Sequence, residues 1–168
     1  MDTKRLRKFI TAGLMAALTC FATYIITVPS PTGYIHPGDS FVILSGIILG
    51  PVYGPLSAGI VSIVADLLAG YPQFAIATFI IKALAALLAS LIYRYIKKAI
   101  ISVILAGIFA AIPVTLGYFT VEYFMYGLGG ALSGIPLNLV QNVFGIVLSS
   151  LLYPLLYRIP QIKEMMKE

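Results

Sequence analysis

Asp39, Asp66, Lys82, Glu122, Asn138, Gln141 and Asn142 are polar side chains set inside, or at the edge of, long apolar runs. A charge at a bilayer centre costs about 2.5–3.5 kcal/mol on insertion scales, so such residues face protein or a wet cavity. The chemistry open to this set is recognition: carboxylates accept hydrogen bonds, an ammonium donates them, and amides do both. Tyr34, His36 and Tyr118 add rings with polar tips, suited to holding a flat ligand. Catalysis has less to work with. No G-x-x-x-x-G-K-[ST] segment is present, so this chain has no P-loop for ATP. One histidine, one cysteine and scattered carboxylates give no metal-ligand spacing. No serine sits in a Gly-x-Ser-x-Gly context. The expectation is a binding protein with no catalytic residue, no metal and no cofactor of its own.

The elements that must position these residues are membrane helices. Of 168 residues, 60% are hydrophobic and 10% charged, and the mean hydropathy is +1.01; soluble domains carry about 25% charged residues. Apolar runs and turn clusters predict an all-α bundle of six transmembrane helices, at 9–28, 37–52, 54–69, 74–96, 99–126 and 132–157, forming a single domain over 1–168. The breaks are Pro29-Ser30-Pro31-Thr32-Gly33, Gly50 to Pro55, Gly70-Tyr71-Pro72, the basic stretch Arg94, Lys97 and Lys98, and a glycine-rich turn from Gly127 to Gly134. The second helix reaches only about 24 Å, short of the roughly 30 Å hydrocarbon core, so helices two and three form either a short buried span or a re-entrant hairpin.

Charge sets the orientation. Lys4, Arg5, Arg7 and Lys8, the stretch Arg94 to Lys98, and Arg158, Lys163 and Lys167 fall on one side in a six-helix count, whereas 29–39, 70–73 and 127–134 carry no Lys or Arg. The positive-inside rule therefore places both termini in the cytoplasm. The single cysteine, Cys20, forms no intramolecular disulfide. The net charge of +5 reflects these loop clusters rather than a nucleic-acid surface.

Spacings of three and four give the buried faces. In the sixth helix Ala131, Gly134, Asn138, Gln141, Asn142, Gly145 and Ser149 share a side; in the third, Ala58, Gly59, Ser62, Ala65, Asp66 and Ala69; in the fourth, Ala75, Thr78, Lys82, Ala85, Ala86 and Ala89. Small residues admit close helix contact and polar ones find partners across it. With this topology Asp39, Asp66, Lys82, Glu122, Asn138, Gln141 and Asn142 all fall in the outer half. They predict an outward-opening polar pocket lidded by the 29–39 loop. Asp66 and Lys82 are candidates for an ion pair, which either lines that pocket or only neutralises itself.

The loop Gly33-Tyr34-Ile35-His36-Pro37-Gly38-Asp39, the turn Leu49-Gly50-Pro51-Val52-Tyr53-Gly54, and Ala65-Asp66-Leu67-Leu68-Ala69-Gly70-Tyr71-Pro72 followed by Phe79-Ile80-Ile81-Lys82 together resemble the substrate-binding S component of energy-coupling factor (ECF) vitamin transporters. The resemblance covers nearly the whole chain. It implies capture of a vitamin or precursor from outside, with Tyr34, His36, Asp39, Lys82, Tyr118, Glu122, Asn138, Gln141 and Asn142 as candidate substrate contacts. It further implies a transmembrane coupling subunit of the EcfT type and two ATPase subunits that bind the ATP, in the cell membrane of a prokaryote. Ala12 and Ala16 resemble the family's small-residue motif for docking the coupling subunit; lipid-facing alanines would look the same. Within the family the pattern is most similar to pyridoxine or hydroxymethylpyrimidine members, with pantothenate or riboflavin as alternatives. A rival reading outside the family is a stand-alone small channel or carrier.

Overall fold

The computed structural model describes residues 3–29, 34–96 and 99–167. Residues 30–33 of the first turn, Lys97 and Lys98 of the basic stretch, and the side chain of Lys167 lie outside the described residues. In chain order the elements are α1 (Thr3–Tyr24), β1 (Val28–Pro29), β2 (Tyr34–Ile35), α2 (Asp39–Ala69), a 3-10 turn (Pro72–Phe74), α3 (Ala75–Ile96), α4 (Ala99–Tyr157) and α5 (Pro160–Lys167). By length and composition, α1, α2, α3 with its leading turn, and α4 are each long and apolar enough to cross a membrane.

Two of these helices double back at one glycine each. Gly50 has φ 87° and Gly127 φ 75°, conformations that cost glycine little and other residues much. A straight α4 of 59 residues would run about 88 Å, far beyond a bilayer core. A Cβ on Gly54 would lie 2.8 Å from the Gly46 Cα, although a straight helix holds that pair about 12 Å apart. Likewise Gly134 abuts the carboxylate of Glu122. Arms 39–49 and 51–69 of α2 therefore lie against each other, as do arms 99–126 and 128–157 of α4. The breaks are narrower than the composition suggests, because Pro51 occupies the first position of the new arm, where a missing N–H leaves no bond unmade, and the helix continues through Pro55. Gly129, Gly130 and Gly134 remain helical.

Arm 39–49 is about 16 Å long and buried throughout except at Phe41, so protein rather than lipid surrounds it. Gly46 lies directly against the backbone carbonyl of Ala86, an approach that only a residue without a Cβ permits. The other contact faces are those of the three- and four-residue spacing: Ala75, Thr78, Lys82, Ala85, Ala86 and Ala89 are buried on α3. Leu67, Leu68, Ile76, Phe144 and Leu151 are more than half exposed, as lipid-facing side chains would be. At the far end α5 tucks Met165 and Met166 into the core, and an exposed Arg7–Glu164 pair at 3.4 Å links it to α1.

Candidate functional site

The site is built on a buried ion pair, in which Lys82 Nζ on α3 donates to Asp39 Oδ1 at the start of α2. Lys82 is only 1% exposed, so Asp39 is the counter-charge that its burial requires. The N-terminal end of the helix adds its own preference for a carboxylate at Asp39. From there the bonds run outward. Asp39 Oδ2 accepts from Gln141 Nε2 at 2.8 Å, and Gln141 Oε1 accepts from the His36 backbone N–H at 3.1 Å. One chain of polar contacts thus joins α3, α2, α4 and the segment after β2. The ammonium of Lys82 also stands 5.2 Å from the Tyr118 ring centroid, within cation–π range.

Above this floor lies a cavity lined by Tyr34, Ile35, His36, Asp66, Phe74, Thr78, Tyr118, Glu122, Gly134, Leu137, Asn138 and Gln141. Its non-atom space totals about 490 Å³ with the open mouth included, of which about 40 Å³ admits the centre of a water molecule. Tyr34, Phe74 and Tyr118 give the cavity an aromatic lining, and Tyr71 packs against two of these rings, its centroid 5.0 Å from Tyr34 and 6.5 Å from Phe74. Tyr34 donates its hydroxyl to Asp66 Oδ1 at 2.6 Å. Burial and the Asp66 charge both push the Tyr34 phenol upward, so it stays a donor. Asp66 Oδ2 is buried without a hydrogen-bond partner. Tyr118 donates to Thr78 Oγ1 at 3.3 Å.

His36 belongs to the lid. Burial lowers its imidazole to about 4, with the Lys82 charge adding to the effect and Asp39 opposing it. The ring is therefore neutral near pH 7, and Nδ1 accepts from the Gly38 backbone N–H at 3.1 Å. The antiparallel ladder pairing Val28 with Ile35 and Pro29 with Tyr34 holds this segment over the helix ends.

Of the sequence-predicted contacts, Tyr34, His36, Tyr118, Glu122, Asn138 and Gln141 share the cavity, together with Asp66. Asp39 and Asn142 instead line a smaller neighbouring hollow, and Lys82 lines neither. The ion pair expected between Asp66 and Lys82 forms between Asp39 and Lys82, and Asp66 takes the Tyr34 hydroxyl instead. Asn142 donates to Thr115 Oγ1 at 2.9 Å; adjacent helix positions point about 100° apart, so Gln141 and Asn142 serve different hollows. Phe74 and Thr78 escaped the sequence-based site. Thr78 carried a usable signal, one turn before Lys82 on the same face.

Comparison with known proteins follows this geometry. Residues 4–158 match the family model described as "ECF-type riboflavin transporter, S component". A Lactococcus lactis subsp. cremoris protein named "Thiamine precursor transporter HmpT" is 29% identical over 162 residues, 94% of this chain and 92% of its own. A Pyrococcus woesei protein, "Uncharacterized protein in gap 3'region", is 32% identical over 126 residues, 73% of this chain and 82% of its own. Among solved structures, "Structure and mechanism of the S component of a bacterial ECF transporter" superposes with a TM-score of 0.71 at 24% identity, covering 92% of this chain and 97% of that one. "Crystal structure of FolT bound with folic acid" gives 0.65 at 19%, covering 96% and 97%. Both likenesses are of fold. The chain belongs to the family of ECF-type S components: a membrane-embedded, non-catalytic subunit that binds a vitamin, a membership that implies association with EcfT-type and ATPase subunits.

Proposed function

We propose that this chain captures a small aromatic vitamin or precursor, hydroxymethylpyrimidine or pyridoxine, at the outer face of a prokaryotic cell membrane. The observation that carries the reading is the cavity itself: the rings of Tyr34, Phe74 and Tyr118 beside the Asp66 carboxylate, around a space of about 40 Å³ for water centres. That space suits one substituted ring better than a fused or long-tailed vitamin. The thiamine-precursor name of the Lactococcus relative supports the same size class, whereas the family description favours riboflavin as the second reading. Tyr34, His36, Tyr118, Glu122, Asn138 and Gln141 would touch the ligand, with Asp39, Lys82 and Asn142 supporting them from below.

The doubled-back arms and the basic residues at 4–8, 94 and 158–163 support six crossings with both termini in the cytoplasm. Ala12 and Ala16 line an apolar groove of about 560 Å³ between α1 and arm 51–69. Its small-residue floor supports docking of the coupling subunit there. No cofactor is assigned to this chain, and the ATP belongs to two ATPase partners. Calorimetry on the purified protein in detergent tests the substrate. Saturable binding of hydroxymethylpyrimidine or pyridoxine, and none of riboflavin or pantothenate, is the expected result; riboflavin as the only ligand would overturn the reading.

A further inference from the structure

The membrane-embedded segments carry three acids, Asp39, Asp66 and Glu122, and near the site one base, Lys82. Arg94 sits at the other end of α3, beside Gly50. Lys82 is engaged by Asp39. Asp66 is 4% exposed; Tyr34 donates to its Oδ1 and its Oδ2 has no hydrogen-bond partner. A buried acceptor left without a donor is a standing cost, and here it borders an aromatic-walled cavity that holds a second carboxyl group, Glu122. No Lys or Arg is among the described residues lining that cavity. Thr78 stands beside the same carboxylate, but among the described residues no donor engages Oδ2, which leaves that oxygen open to a donor on a ligand.

Resting on the single-ring reading above, we propose that Asp66 is the specificity-determining residue of the site. It selects a planar nitrogen heterocycle with N–H donors, amino-substituted or protonated, over rings that present only acceptors or an anionic group. A carboxylate matches two parallel N–H donors on adjacent ring positions. The tyrosine faces hold the ring plane and favour any positive charge on it. A phosphate or carboxylate on the ligand would meet Asp66 and Glu122 with no counter-charge, so anionic vitamins are disfavoured.

The test compares two ligands with one skeleton, 4-amino-5-hydroxymethyl-2-methylpyrimidine and 5-hydroxymethyl-2-methylpyrimidine, whose ring carries no N–H, by calorimetry on the purified protein. Sites built to hydrogen-bond a ligand donor reject analogues lacking it by large factors. The wild type should bind the amino ring at least ~100-fold more tightly, and Asp66→Asn should narrow that ratio below about tenfold, because an amide both donates and accepts. Equal wild-type affinity for both rings, or an unchanged ratio in Asp66→Asn, overturns the proposal. Should the variant lose its fold or bind neither ring, the wild-type ratio decides alone. Riboflavin bound while neither pyrimidine binds overturns the single-ring reading, and this one with it.

Discussion

At the residue scale the controlling feature is a lysine almost wholly removed from solvent and held by one aspartate. Removing one partner of a buried pair strands the other, a loss of about 3–5 kcal/mol, whereas replacing both with well-fitting neutral groups is often near neutral. Lys82→Ala should therefore lower the melting temperature sharply, while Lys82→Met with Asp39→Asn recovers most of the loss. Thermal unfolding in detergent measures both, and a double variant as unstable as the single would contradict the pairing. Ligand affinity should stay reduced in the stable double variant. Asp39 is the anchor through which Gln141 holds the His36 backbone, so its loss frees the lid and loosens Gln141 in the cavity wall. This tertiary pair was not legible in the sequence, where Asp66 and Lys82 stood as the natural partners.

At the element scale, glycine does two different jobs. Gly50 and Gly127 turn the chain through positive φ, and Gly46 lets α2 and α3 touch backbone to backbone. Gly129 does neither: it is helical, exposed, and has open space where a Cβ would sit. Gly46→Ala should destabilise by about 1–3 kcal/mol, since overpacking forces the backbones apart. Gly129→Ala should be neutral or stabilising by up to about 1 kcal/mol, from helix propensity alone. Chemical or thermal unfolding of the matched pair separates the roles, and equal effects would refute the close-contact account. Both glycine-rich stretches were visible as breaks in the sequence. Their width was not, because a glycine inside a packed helix and a glycine in a turn read alike until neighbours are known.

At the scale of the whole molecule, the chain is the non-catalytic binding subunit that its family implies. No P-loop is present, and Tyr34, His36, Asp66, Glu122, Asn138 and Gln141 gather around one cavity. The purified subunit in liposomes should bind its vitamin and accumulate none of it, with uptake appearing only when the EcfT-type and ATPase partners are added with ATP. Radiolabelled uptake measures this. Accumulation by the lone subunit would favour the stand-alone carrier instead.

By itself the sequence determines which stretches are apolar enough to enter a membrane, where glycine and proline cluster, and which helix faces carry small and polar residues. Those properties follow from local composition and from the fixed 100° rotation per helical residue, and so Asn138, Gln141 and Gly134 could be placed on one face directly. Only the tertiary structure decides which carboxylate meets Lys82, why Gln141 and Asn142 part company, and how Phe74 and Thr78 reach the cavity. Each depends on the axial offset and rotation between helices distant in sequence. A shift of one residue, about 1.5 Å along the axis and 100° around it, is enough to turn a side chain away from its partner.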